Sequence, residues 1–332
     1  MRRLLILAAL AAVFVVAPPT AKVSKAEGRA HTAIVRVGFI DPYSPSNALR
    51  GAPAFWKRLH ELGYVEGDNL NIEMRWAEGG IDRLPTLMAE VIALRVDVIV
   101  TYSTPAAIAA KKSTNSIPIV VVAMGDPIGT GLAASLARPG SNLTGLSLEM
   151  TEDLSGKWLE LLQETVPSLS VVAVISNPES RLDTEITRHL QAASVRRGVM
   201  LHVVQVRKPE ALASAVAQAK RKAQAALVLP DPLTVQYRKE IAALAAKHRL
   251  PAMYMLLDFM DSGGLMAYGV DNEVLFRRAA EYVDRILKGA NPAELPIEQP
   301  TQFSLAVNLK AARALGITIP ESILLRADEV IR

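Results

Sequence analysis

Two α/β lobes, each a doubly wound parallel sheet and joined by a multi-strand hinge, are the fold that this sequence predicts. Apolar runs such as residues 96–100 and 117–124 are short, β-branched and non-alternating, as is typical of parallel strands covered on both faces. These runs alternate with helical patterns, which indicates βαβ units. The alternation occurs in two successive series within 332 residues, a length that favours more than one core.

The first series contains five predicted strands and four predicted helices. The strands are residues 35–40, 70–76, 96–101, 117–124 and 143–148. The helices are residues 48–62, 84–94, 105–112 and 129–136. Together these elements predict one complete lobe.

A second series begins after Thr151 and predicts the second lobe. Its strands are residues 171–176, 200–206, 226–229 and 252–256, and its helices are 154–165, 183–197, 209–222 and 236–248. The chain continues with a strand at 265–268, an amphipathic helix at 272–287, a proline-rich loop at 288–300, a strand at 303–307, a helix at 309–315 and an apolar segment at 327–331.

These extra elements predict that the backbone crosses between the lobes more than once, at hinge segments 147–151, 263–268 and 299–302. We expect lobe 1 to comprise residues 31–148 plus about 267–300. Lobe 2 then comprises residues 149–266 plus about 301–332, although the pattern alone does not assign this tail to one lobe.

The N-terminus, residues 1–26, has the layout of a secretory signal peptide. Arg2 and Arg3 precede an apolar run at 4–17, which is shorter than the roughly 20 residues of a membrane-spanning helix. Cleavage is expected after Ala21 or Ala26. The chain has no cysteine, which excludes disulfides, thiolate sites and a lipidated cysteine. We therefore predict a monomer in the bacterial periplasm without a lipid anchor.

Several function classes lack their motifs. There is no phosphate-binding P-loop, no G-x-S-x-G elbow and no H-E-x-x-H pair. Gly125, Gly129 and Gly131 follow a strand, but their spacing differs from that of a dinucleotide loop. The net charge of +4 arises from scattered basic residues. The sequence therefore predicts a protein that is not an enzyme and uses no cofactor, catalytic residue, metal or nucleic acid.

Polar residues follow two adjacent predicted strands, where ligands bind in open parallel sheets. Ser103 and Thr104, at the start of a predicted helix, suit a carboxylate, or Thr104 is an ordinary N-cap. Asp126 suits an ammonium group, or it caps the next turn. Both interpretations stay open for each residue.

The second lobe repeats the pattern with Asn177-Pro178 and Asp231-Pro232 at strand ends. Tyrosines near strand ends are expected to contact the ligand's side chain. The predicted ligand-binding set is Tyr43, Ser103, Thr104, Asp126, Asn177, Asp231, Tyr254 and Tyr268. If the lobes face each other, these residues point into one cleft.

Longer motifs resemble a known family. They include L-x-E-L-G-Y-V-E-G-x-N at 59–69, G-D-P-I-G-T-G-L at 125–132, G-G-L-M-x-Y-G at 263–269 and L-P-I-E-Q-P-T at 295–301. The chain resembles ABC transporter substrate-binding proteins of the tryptophan-binding TrpX type. The resemblance implies a type I periplasmic-binding fold, an exported receptor, and delivery of a small molecule to a membrane permease with a separate ATPase.

The leading hypothesis is a receptor that binds one small molecule, most simply an amino acid with an aromatic one as an option, and that closes by a hinge. In that arrangement Ser103 and Thr104 bind the carboxylate, and Asp126 or Asp231 binds the ammonium group. Two alternatives remain open: an exported α/β enzyme acting on a similar metabolite, and the ligand-sensing partner of a membrane signalling protein.

Overall fold

The computed structural model describes residues 34–148 and 151–332, and the predicted signal peptide at 1–26 lies outside these residues. Residues 33–332 form one compact unit. Within the described part of the chain there are two sheets, one of five strands and one of seven. No helix in these two described ranges is long and apolar enough to cross a membrane.

The first sheet is entirely parallel, with strand order β2-β1-β3-β4-β5. Its elements are β1 (Val35–Asp41), α1 (Ala52–Glu61), β2 (Leu70–Trp76), α2 (Leu84–Ala93), β3 (Val98–Thr101), α3 (Thr104–Ser113), β4 (Ile119–Met124) and β5 (Leu143–Ser147). Both β3 and β4 are buried along their whole length, as predicted from their apolar runs.

The second sheet has the order β12-β11-β10-β9-β8-β6-β7, and only the β10–β11 pair among its neighbours is antiparallel. The chain from residue 151 onward forms α4 (Glu152–Thr165), β6 (Val171–Ser176), α5 (Arg181–Arg197), β7 (Met200–Gln205), α6 (Leu212–Lys222), β8 (Ala225–Val228), α7 (Pro232–Gln236), α8 (Arg238–Lys247), β9 (Ala252–Leu256), β10 (Met266–Val270), α9 (Asn272–Leu287), β11 (Ser304–Asn308), α10 (Leu309–Leu315), α11 (Glu321–Leu324) and β12 (Glu329–Ile331).

Helix α9 returns to the first lobe and packs against α1. The Phe276 ring stacks on Phe39 of β1 at 6.3 Å, and the Tyr64 hydroxyl donates to Asp284 at 3.1 Å. After α9, Glu298 joins the edge of β5 through a bridge to Leu146. Strand β11 then lies in the second sheet, so the chain passes between the sheets three times.

The second of these passages differs from the sequence prediction. Residues 263–268 lie inside the second lobe, because Gly263 ends a turn after β9 and Tyr268 belongs to β10. The chain passes to the first lobe at Asp271, which caps α9 with a hydrogen bond from Glu273 N of 2.9 Å. The predicted hinge at 263–268 is therefore wrong, and the return expected at about 267 occurs at 271.

Two helix predictions also need correction. Residues 129–136 form turns and bends rather than a helix, and Gly131 within them has a positive φ angle of 74° that interrupts a helical backbone. The helix predicted at 236–248 corresponds to α8, Arg238–Lys247, and a separate short helix before it, α7 at Pro232–Gln236, was not predicted.

Candidate functional site

A cavity of about 520 Å³ lies between the lobes, beyond the carboxyl ends of β3, β4, β6 and β8. This size falls within the range of small-molecule sites. Six of the eight predicted residues line the cavity, and they come from both lobes. They are Tyr43, Ser103, Thr104, Asp126, Asn177 and Asp231.

Ser103 combines a strained backbone with an unsatisfied side chain. Its φ and ψ angles, 79° and 156°, fall in a region that is almost exclusive to glycine. The residue is only 8% exposed, and its Oγ has no hydrogen-bond partner among the described residues. The backbone N–H of Ser103 donates to Ala123 O at 2.8 Å, which holds this conformation. Strain and an unpaired hydroxyl together make Ser103 a candidate functional residue.

Thr104 is the first residue of α3, so the N-cap position belongs to Ser103 rather than to Thr104 as one sequence interpretation had it. Its Oγ1 accepts a hydrogen bond of 2.8 Å from Gly125 N and thereby ties α3 to the loop after β4. Because Ser103, Thr104 and Pro105 all line the cavity, the N-terminus of α3 faces it. The helix dipole favours a negative group there.

On the opposite wall, Asp231 and Asn177 form a buried pair. Asn177 Nδ2 donates to Asp231 Oδ1 at 3.1 Å, and Leu233 N donates to the same oxygen at 2.9 Å. Asp231 is 3% exposed, and burial raises the pKa of its carboxyl above the usual range. Asp231 is also the N-cap of α7, where its side chain and that of Thr234 form a capping box with the backbone. A ligand ammonium group next to the Asp231 carboxyl would favour its ionised form.

Asp126 also lines the cavity, but both of its carboxylate oxygens are engaged. Oδ1 accepts from Gly129 N at 2.7 Å, and Oδ2 accepts from Arg181 Nε in the other lobe at 3.1 Å. Arg181 is the first residue of α5, and sequence analysis did not identify it. Its position directly after the Asn177-Pro178 turn was the available signal.

The Tyr43 ring forms part of the apolar wall with Tyr102, at a centroid distance of 5.9 Å. Burial raises the pKa of the Tyr43 phenol well above its usual value, so this group stays neutral. Its hydroxyl makes no hydrogen bond with the part of the chain that is described. Further apolar lining comes from Ile81, Ile108, Leu148, Leu182, Val235 and Leu256, which single-residue sequence patterns do not distinguish from core positions.

Tyr254 and Tyr268 do not line this cavity, so their predicted placement in the cleft is wrong. Tyr254 lies within β9, is 1% exposed and stacks on Phe259 at 4.3 Å. Tyr268 lies within β10 and packs against Phe303 at 6.2 Å. Both residues precede the last residue of their strand, where alternation directs a side chain into the packed faces of the sheet.

The arrangement is suited to binding a zwitterion that has an apolar part. Four charged residues line the cavity, namely Asp126, Glu179, Arg181 and Asp231. Arg181 is paired with Asp126, so the two other charged residues of the lining, Glu179 and Asp231, are both acidic. No group of three metal-ligating side chains occurs within residues 34–148 and 151–332.

Comparisons with known proteins identify several similar chains. The chain is 28% identical over 268 residues to a tyrosine-binding protein of Clostridioides difficile, a match covering 79% of this chain and 75% of that protein. An ABC domain from Streptococcus pneumoniae solved in complex with L-Trp superposes with a TM-score of 0.83 at 26% identity, covering 90% of this chain and all of that one. A conserved domain protein from Vibrio cholerae gives the same TM-score and identity over 89% and 99% of the two chains.

The fold predicted from sequence is confirmed, since the structural relatives include type I periplasmic binding proteins with two α/β lobes. The resemblance inferred from the motifs is confirmed as well. A family model described as ABC transporter substrate binding protein matches residues 46–331. This chain therefore belongs to the ABC transporter substrate-binding protein family.

Proposed function

We propose that this chain is an exported receptor of an ABC importer and that it binds one aromatic amino acid in the interlobe cavity. The observation that carries the proposal is Ser103, whose buried hydroxyl has no partner within the described residues and lies on the cavity wall. A ligand carboxylate would satisfy this hydroxyl and would lie at the N-terminus of α3. The relatives named for tyrosine and L-Trp support an aromatic side chain.

In the proposed arrangement the ligand's charged groups are divided between the lobes. Ser103 and Thr104 bind the carboxylate, whereas Asp231, oriented by Asn177, binds the ammonium group. The aromatic ring lies against Tyr43 and Tyr102. Each lobe therefore holds one end of the amino acid, and binding favours the closed arrangement of the lobes.

The rest of the proposal concerns the cellular role. The signal-like sequence at 1–26 supports export to a periplasm, and family membership supports delivery to a permease that works with a separate ATPase. We propose that the receptor is a monomer that binds its ligand without converting it. Membership of a family of substrate-binding proteins supports binding without conversion.

Isothermal titration of residues 27–332 with L-tryptophan, L-tyrosine and L-phenylalanine tests the proposal. The protein should first be unfolded and refolded so that no ligand remains bound. One of the three amino acids should bind with 1:1 stoichiometry, and at about 100 times its dissociation constant it should stabilise the fold by roughly 2.7 kcal/mol. Chromatography of the ligand after incubation should recover it unchanged. Absence of binding by all three, or appearance of a product, would contradict the proposal.

A further inference from the structure

The loop after β4, residues 125–129, contacts the start of α5 from the other lobe at two points. Arg181 Nε donates to Asp126 Oδ2 at 3.1 Å. Leu182 packs over Gly125, because a Cβ atom added at Gly125 would lie 2.9 Å from Leu182 Cδ1. All four residues line the cavity, so this contact lies at its edge and joins the two lobes there.

The glycines of this loop fit the same contact. A Cβ added at Gly129 would lie 2.0 Å from Asp126 Oδ2 and 2.5 Å from Arg181 Nη2, so a side chain at this position would displace the ion pair from its present geometry. Asp126 itself has a φ of 40°, and its Oδ1 is held by Gly129 N at 2.7 Å. The loop therefore presents one carboxylate oxygen to Arg181 in a fixed orientation.

From this geometry we propose that the 125–129 loop and Arg181 form a latch that holds the two lobes together, and that Asp126 acts on ligand release without contacting the ligand. The inference rests on the proposed receptor function and adds positioning roles for Asp126, Gly129 and Arg181. Because both oxygens of Asp126 are engaged, the ligand's ammonium group is left to Asp231. Ligand dissociation then requires the Asp126–Arg181 pair to break.

The expected effect is moderate, because 62% of the Arg181 side chain is exposed and solvent screens the pair. Arg181→Ala should raise the dissociation rate constant of the amino acid by about 1.4-fold to fivefold, the range of an exposed ion pair. Asp126→Asn keeps an acceptor for Gly129 N and should give a similar increase. The double variant should resemble either single one, since both remove the same pair. In 1 M NaCl all these differences should shrink.

Arg188→Ala is the matched control. Arg188 lies exposed on the same helix, α5, and its described hydrogen bond is to the neighbouring His189. This variant removes the same charge from the same helix without touching the loop. Its dissociation rate should equal that of the wild type, and the melting temperatures of all variants show whether the fold is retained.

Ligand analogues separate a latch from direct contact with the ligand. Tryptamine lacks the carboxylate of L-tryptophan, and indole-3-propionate lacks its ammonium group. For a latch, Arg181→Ala and Asp126→Asn weaken binding of every ligand that the wild type binds by the same factor. If the Arg181 effect disappears with tryptamine, or the Asp126 effect disappears with indole-3-propionate, the residue contacts the ligand and the latch is refuted.

A measurement without ligand keeps this inference separate from the proposed function. The chain has no cysteine, so dyes attached through Lys112→Cys on α3 and Ala192→Cys on α5 report the distance between the lobes by energy transfer. Arg181→Ala should shift the ligand-free distribution toward longer distances, and Arg188→Ala should not. If no amino acid binds but this shift occurs, only the proposed ligand class fails. If binding occurs and the distance distribution and release rate are unchanged by Arg181→Ala, the latch fails.

Discussion

Ser103→Ala tests the carboxylate end of the proposed site, because the substitution removes a hydroxyl that has no partner in the described part of the chain. The alanine keeps the Cβ atom at a φ of 79°, so the backbone strain of the serine stays in place. Any change in binding or stability therefore reports on the hydroxyl itself. A second variant, Ser103→Gly, removes hydroxyl and strain together and separates the two effects.

The expected changes in affinity and stability of Ser103→Ala follow from whether the Ser103 hydroxyl is hydrogen-bonded with and without ligand. A hydrogen bond to a charged group contributes about 1.5–3 kcal/mol, so Ser103→Ala should weaken amino-acid binding by about 10- to 150-fold. In the ligand-free protein the Ser103 hydroxyl makes no hydrogen bond with the described chain, so the free-energy cost of removing it from water is not offset. We therefore expect the free energy of unfolding of Ser103→Ala to equal that of the wild type or to exceed it by up to ~1 kcal/mol.

Isothermal titration and urea unfolding measure these two quantities, and Ser155 supplies a matched control. Ser155 on α4 is fully buried, and its Oγ also lacks a partner among the described residues, but it does not line the cavity. Ser155→Ala should change stability in the same direction and leave affinity unaltered. Tryptamine, which has no carboxylate, should bind wild type and Ser103→Ala equally.

The reasoning would be refuted if Ser103→Ala bound the amino acid as tightly as the wild type while Ser155→Ala did the same. The hydroxyl of Ser103 would then be one more unpaired buried group without a ligand. A loss of affinity that is equally large for tryptamine would also count against it, since the carboxylate could not be the cause. Partial recovery of affinity in Ser103→Thr would support the hydroxyl as the group responsible.

Four other substitutions test the opposite wall and the fold. Asp231→Asn should weaken binding of L-tryptophan by at least tenfold and leave indole-3-propionate unaffected, as measured by titration, because a charge-assisted bond is lost. Burial raises the pKa of Asp41 to about 7 from 3.8, so the folded state binds the extra proton and wild-type stability should fall as pH rises from 4 to 7. Asp41→Asn should make this slope shallower by at most ~1.4 kcal/mol per pH unit in urea unfolding, and an unchanged slope would contradict the assignment. Gly145→Ala should cost at least ~3 kcal/mol or prevent folding, because its Cβ would lie 2.1 Å from Val121 O at a φ of 135°. Gly156→Ala, with nothing within 4 Å in helix α4, should instead stabilise by about 0.5–1 kcal/mol, and equal effects of the two alanines would show that the packing argument is wrong.

Sequence patterns predicted most strands well because apolar, β-branched runs report burial directly. Strands β2, β6 and β9 have the predicted bounds, and so does helix α9. The turns at 129–136 were missed because the segment has small residues at helical spacing, whereas Gly131 adopts a positive φ angle of 74° that this spacing does not indicate. Sequence patterns thus predicted the elements whose formation depends mainly on residues close in the chain.

The site was predicted in part for a similar reason. Residues after a strand end, such as Ser103 and Asp231, were correctly expected at the cavity because parallel strands bring their carboxyl ends to one edge. Tyr254 does not line the cavity because it lies inside its strand. Leu256, at the end of the same strand, lines the cavity instead. Sequence patterns could not predict the pairing of Asp126 with Arg181, because the two residues are 55 positions apart and no local pattern links them.

The contacts between the lobes differ in burial, and this difference suggests an order of opening. Near residues 47–50, Arg238 is 6% exposed and donates to Asn47 O at 2.9 Å and Ala48 O at 3.1 Å, while Arg50 N donates to the buried Asp258 at 2.8 Å. Separating such buried charged groups costs several kcal/mol unless water replaces each bond. The Asp126–Arg181 pair is far more exposed and is worth about 1 kcal/mol or less. We therefore expect opening to begin at the 125–129 loop, and ligand exchange to be faster than complete separation of the lobes.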